Sequence, residues 1–151
     1  MTPTGRPYSP RVRRHVPTFR IRYHECDAQG VVYNAHYLAL FDMALTELWR
    51  EVFGGYEAMT DRGLDLVVAE AHVRYLGPAR FDDLVAVAIE VVELGTTSIR
   101  TEYEVQRGDD PVATGWLRHV LVDLGTHAKA PIPDDVRAAL SEPISTASGI
   151  A

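Results

Sequence analysis

The sequence predicts an α+β domain in which one long helix packs on an antiparallel sheet. Three observations predict it. Tyr37, Phe41, Leu45, Leu48 and Val52 recur at spacings of four, four, three and four, which is one face of a helix. Beyond Gly63 the apolar period changes to two and stays there, as strands require. No repeat, linker or second composition divides the 151 residues. A chain of that length forms one domain burying about 70% of its unfolded surface.

The elements follow in order. Residues 1–17 carry Arg6, Arg11, Arg13 and Arg14 with four prolines and no acid, and read as a flexible basic arm. Thr18–His24 alternates Phe19, Ile21 and Tyr23 against Arg20 and Arg22, as a strand does. Glu25–Gly30 is a turn. The long helix follows, with Asn34 as its expected N-cap and Gly54-Gly55 as its stop. Leu38, Ala44 and Trp49 widen its apolar stripe, so it should be well buried. Asp42 and Glu47 fall on its polar side.

Tyr56–Arg62 predicts a short helix closed by Gly63. Strands follow at Ala69–Tyr75, at Leu84–Leu94, around Ile99–Val105 and at Val112–Asp123. Leu84–Leu94 is apolar on both faces over much of its length, as an interior strand is. Gly95-Thr96 and Arg107–Pro111 are the turns between them. Pro133–Leu140 predicts a short last helix. The domain spans 18–140, with 141–151 a frayed tail. One sheet on one helix leaves strand edges open, which favours a homodimer or homotetramer.

Composition excludes several function classes. The net charge of −6, with +4 on the arm and −10 elsewhere, argues against nucleic-acid binding. No apolar run approaches the roughly 18 residues of a membrane span. No signal-peptide core follows Met1, so a cytoplasmic location is expected. The single Cys26 rules out an internal disulfide and a multi-cysteine zinc site. His24, Glu25, Asp27 and His36 lack metal-ligand spacing, so no metal is expected. Serine-hydrolase, dinucleotide and phosphate-loop motifs are all missing.

The segment 23–37 carries the chemistry. Asp27 sits in a glycine-containing turn, and a helix begins directly behind it. A carboxylate can act as base or nucleophile, while free N–H groups at a helix start polarise a carbonyl. A plain turn aspartate bonded to its own backbone is the competing reading. Cys26 with His24 and His36 admits a thiol-nucleophile reading, against that of a buried, inert cysteine.

Arg22–Trp49, centred on Asp27-Ala28-Gln29-Gly30-Val31-Val32-Tyr33-Asn34-Ala35-His36-Tyr37, resembles the 4-hydroxybenzoyl-CoA thioesterase family of hotdog-fold proteins. The likeness continues in register through Val67–Glu70, Arg74–Arg80, Glu93–Ser98 and Pro131–Pro133. It implies a long central helix wrapped by a five- to six-stranded antiparallel sheet. It also implies hydrolysis of an acyl-CoA or acyl-carrier-protein thioester without a cofactor. By position, Asp27 matches the catalytic carboxylate, and the backbone N–H of Asn34 matches the carbonyl-polarising group. Gly30, Val31, Tyr33, His36, Tyr37 and Phe41 fall along the substrate pocket. Many relatives carry histidine at position 34, and another hotdog branch uses a helix carboxylate, for which Glu47 is the candidate. A non-catalytic acyl-thioester-binding hotdog and a hotdog dehydratase are the rival functions.

Overall fold

The structure, a computed structural model, describes residues 14–142. Its elements are β1 (Arg14–His15), β2 (Thr18–Arg20), α1 (His36–Phe53), α2 (Glu57–Thr60), β3 (Leu64–Tyr75), β4 (Leu84–Leu94), β5 (Ser98–Arg107), β6 (Asp110–Asp123) and α3 (Asp134–Ser141). The six strands form one antiparallel sheet in the order β1-β4-β5-β6-β3, with β2 also on β4. The class is α+β, as the two periodicities predict.

α1 lies across one face of this sheet. Its buried stripe is Tyr37, Leu40, Phe41, Ala44, Leu45, Leu48 and Trp49. The sheet answers with alternate residues: Val85, Val87, Ile89 and Val91 of β4, and Ile99, Thr101, Tyr103 and Val105 of β5. Phe41 stacks on Tyr103 with ring centroids 4.3 Å apart. On β6, a Cβ at Gly115 would come to 2.6 Å from the Phe41 ring and meet the His72 carbonyl oxygen. The strand carries glycine where the helix sits down on it. α1 ends at Gly54, whose φ of +82° lets its N–H reach the Arg50 carbonyl at 2.9 Å.

Several boundaries differ from the sequence reading. Arg14–His15 pairs with Glu90 and Ile89, and the Pro17 carbonyl accepts the Val87 N–H. The expected arm over 1–17 therefore joins the sheet before it ends, because the edge of β4 has backbone groups to satisfy. Residues 1–13 and the tail from 143 lie outside the described residues. Strand pairing near Thr18 stops at Arg20, and Tyr23–Glu25 turns as a 3-10 helix. The Glu25 carboxylate accepts the Arg22 N–H at 3.1 Å and pulls the chain round. α1 starts at His36, so Asn34 is not its N-cap; Ala35 occupies that position with helical φ and ψ of −71° and −19°. β3 starts at Leu64, ahead of the expected Ala69, because Asp65 hides the strand pattern while its carboxylate takes the Tyr56 hydroxyl. α3 runs Asp134–Ser141 with Pro133 at its cap.

Candidate active site

The site is built on a small hairpin between β2 and α1. Cys26 bridges Val32, and the Asp27 N–H donates to the Val31 carbonyl at 2.9 Å. The Gly30 N–H returns to the Asp27 carbonyl at 2.9 Å, with Gly30 at φ +77°. One rung further, the Tyr33 N–H donates to the Glu25 carbonyl at 3.0 Å. These rungs bring the chain back beside Asp27's own segment at the start of α1. The hairpin is also stapled outward. Val31 bridges Arg80, and the Val32 N–H donates to the Ala79 carbonyl at 2.8 Å.

Asp27 itself is half-buried. Its Oδ1 accepts the Gln29 N–H at 2.8 Å. One oxygen thus fixes the turn, as the turn reading expects, and Oδ2 has no protein donor among the described residues. The anchored oxygen fixes the carboxylate's orientation.

The start of α1 is open. His36 N–H donates to the Tyr33 carbonyl at 2.9 Å, and Leu38 N–H to the Ala35 carbonyl at 3.2 Å. No protein acceptor among the described residues takes the N–H of Asn34 or of Ala35. The Ala35 N–H is one of the orphan donors that a helix N-terminus leaves, and the Asn34 N–H lies just ahead of it, both on exposed residues. The Asn34 carbonyl, in contrast, is held by the Tyr75 hydroxyl at 2.9 Å.

Glu25 is the buried anchor of the arrangement, 6% exposed. Its Oε1 accepts from Arg22, and its Oε2 contacts Nε2 of His36. A carboxylate placed at the start of α1 also suits the helix dipole. From the sequence, Glu25 is weighed as a turn residue and metal ligand, and His36 as a metal ligand, a partner for Cys26 and a pocket residue. Their actual relation, a carboxylate two residues before Asp27 facing the first helical residue, was visible only as composition. Tyr75 was missed entirely as a site residue, being 41 positions from its partner.

The remaining expected pocket residues divide. Gly30 and Tyr33 are exposed, Val31 is half-buried, and His36 is half-buried with Nε2 committed to Glu25. Tyr37 is buried and packs edge-on against Tyr75 at 5.5 Å. Burial raises its hydroxyl above the ordinary range. Phe41 is fully buried against Tyr103 and Gly115, so its expected place along the pocket becomes a place in the core. The Cys26 thiol is raised by burial and then by Glu25, Asp27 and Asp83. That environment opposes the thiolate a nucleophile needs. Glu47 pairs with Arg50 on α1. No group of three or more His, Cys, Asp or Glu side chains suited to a metal occurs among the described residues.

Further along α1 lies a cavity of about 270 Å³ lined by Asp42, Leu45, Thr46, Tyr56, Leu66, Val68 and His119. His119 is 2% exposed and its Nδ1 has no partner among the described residues. Burial pushes it down to about 4, so the ring is neutral. Asp42 is exposed as a residue, yet burial of its carboxyl on the cavity side raises it. No sequence pattern pointed to this cavity.

Residues 21–140 match the family model described as the thioesterase-like superfamily. The acyl-CoA thioesterase YbgC of Haemophilus influenzae is 33% identical over 121 residues, which is 80% of this chain and 89% of the relative. The 1,4-dihydroxy-2-naphthoyl-CoA hydrolase of Synechococcus elongatus is 28% identical over 119 residues, 76% of this chain and 85% of the relative. Among solved structures, a hypothetical protein from Aquifex aeolicus superposes with a TM-score of 0.79 at 29% identity, covering 83% of this chain and 98% of the other. No described helix is long and apolar enough to cross a membrane. With its helix laid on a six-stranded antiparallel sheet and the match running from Ile21 to Leu140, the chain belongs to the thioesterase-like superfamily and has the hotdog fold.

Proposed function

We propose that this protein is an acyl-CoA thioesterase, hydrolysing an acyl thioester to the free acid and thiol. One observation carries the reading. A half-buried carboxylate with one oxygen anchored, Asp27, shares a hairpin with a helix start whose Asn34 and Ala35 N–H groups are open. The relatives named above, an acyl-CoA thioesterase and a 1,4-dihydroxy-2-naphthoyl-CoA hydrolase, act on coenzyme A thioesters by name. Coenzyme A rather than a carrier protein is the favoured thiol partner. Carrier proteins are acidic, and this chain carries −10 outside its first 17 residues.

The thioester oxygen lies against the Asn34 and Ala35 N–H groups. Asp27 either removes a proton from an attacking water or attacks the carbonyl carbon itself. The carbonyl π pair moves onto oxygen, where the two donors and the helix dipole stabilise it. Collapse breaks the carbon–sulfur bond, and the thiolate leaves with the pair. On the water route the free acid forms in that step and the thiolate takes up the proton that Asp27 removed. On the attack route a mixed anhydride with Asp27 remains, and water hydrolyses it to the free acid, restoring the carboxylate and giving the thiolate its proton. A single turnover in ¹⁸O water separates the routes, since label in the Asp27 carboxylate marks attack by the carboxylate itself.

The open edge of the sheet supports a dimeric assembly. β3 has β6 on one side and no strand on the other among the described residues, and Val67 and Val68 on it are exposed. A second copy pairing there gives a homodimer, and such dimers pair further into tetramers. The function is tested by thiol release over a panel of acyl-CoAs. Release from at least one member, abolished in Asp27→Ala, is the expected result. Binding without release supports the non-catalytic reading instead, and hydration of an enoyl-CoA without thiol supports a dehydratase.

A further inference from the structure

We propose that Tyr75, at the end of β3, is a positioning residue for the carbonyl-polarising donors. The proposal rests on the thioesterase reading of the site. The donors are main-chain groups on two successive peptide planes, Tyr33–Asn34 and Asn34–Ala35. Each plane is rigid, with its C=O and N–H pointing in opposite directions. Whatever grips the carbonyl of a plane therefore aims the N–H on its far side.

The two planes are gripped differently. The Tyr33 carbonyl accepts the His36 N–H at 2.9 Å, so the helix's own first turn aims the Asn34 N–H. The Asn34 carbonyl has no such local partner and is taken by the Tyr75 hydroxyl at 2.9 Å. That bond aims the Ala35 N–H. It also holds Asn34 in place where its side chain makes no cap.

Tyr75 is built to do this. Its strand end is fixed, because Tyr75 pairs with Ala113 and the N–H groups of Leu76 and Gly77 both donate to the Val112 carbonyl. Its ring is set by the buried Tyr37, which meets it edge-on at 72° from the first turn of α1. Yet Tyr75 is 52% exposed, so its hydroxyl adds little to the core. A polar group that spans 41 residues to hold one carbonyl at an open helix start fits a role in aiming that start.

Tyr75→Phe removes the hydroxyl and keeps the ring on Tyr37. The acyl-CoA of the panel that the wild type turns over fastest is the probe. The expected result is a kcat lower by about tenfold, less than the roughly 10²–10³ of losing a donor outright. KM and the thermal midpoint stay unchanged. The Ala35 and His36 amides shift in ¹H–¹⁵N spectra, while amides of β5 do not. Wild-type kcat in Tyr75→Phe, with Asp27→Ala inactive, overturns the proposal and leaves the site reading standing. A kcat loss matched by a lower thermal midpoint overturns it as well, since the role is then structural. If the wild type releases thiol from no acyl-CoA, the functional reading fails separately. The amides still decide Tyr75, and an unmoved Ala35 overturns it.

Discussion

The carboxylate of Glu25 grips Nε2 of His36, tying the turn that carries Asp27 to the first residue of α1. The contact is enclosed, with the His36 side chain 23% exposed and that of Glu25 6%. Removing one partner strands the other in a poorly hydrated place. Glu25→Leu should therefore cost about 1–3 kcal/mol of stability, read by urea unfolding. Glu25→Gln, which keeps a hydrogen bond to His36, should recover most of that loss.

Among the described residues, Asp27 is the hairpin carboxylate with an unengaged oxygen. Asp27→Ala should lower kcat by about 10²–10⁴ with KM little changed, measured by thiol release. Asp27→Asn keeps an oxygen for the Gln29 N–H and so should keep the turn. It should nonetheless be as inactive as the alanine variant.

Gly115 lies where α1 meets β6. Gly115→Ala forces a methyl toward the Phe41 ring and the His72 carbonyl. Overpacking of this kind costs about 1–3 kcal/mol, and chemical denaturation should show a lower midpoint with an unchanged slope.

His119 gives the fold an acid sensitivity. Its folded value lies near 4, below the ordinary 6.5, because burial disfavours the charged ring. The unfolded chain therefore binds a proton first as pH falls. The stability from His119 is complete above about pH 6.5 and is lost between there and pH 4, roughly 3 kcal/mol in all. Urea midpoints across that window should fall in the wild type and flatten in His119→Leu.

The open edge of β3 makes a prediction about assembly. Val67→Lys places a charge on the exposed edge, at a residue outside the lining of the cavity beside α1. Light scattering after gel filtration should show dimers or tetramers in the wild type and monomers in the variant.

What was legible in the sequence follows a physical division. The α1 stripe and its Gly54 stop, and the alternation through Ser98–Arg107, are local patterns, and local patterns survive in one dimension. So does the Asp27 turn, because Gly30 and Gln29 are its neighbours. The start of α1 was misplaced at Asn34 because the group that holds the Asn34 carbonyl comes from β3, 41 residues away. Phe41 was set in the pocket because helical spacing gives a face but not what lies under it. That face meets Gly115 and Tyr103, which only the sheet brings together. Arg14–His15 read as free arm because its partner, Glu90 of β4, imposes nothing on its composition.

The open donors at Asn34 and Ala35 belong to the main chain, and every residue but proline carries the same one. On the proposed mechanism, the side chain at 34 can therefore change without loss of the donor. A saturation library should show position 34 accepting most residues and rejecting proline, between intolerant neighbours at 27 and 37. The most informative stretch of this chain thus has a permissive letter near its centre, free to be tuned for whichever acyl group a lineage comes to use.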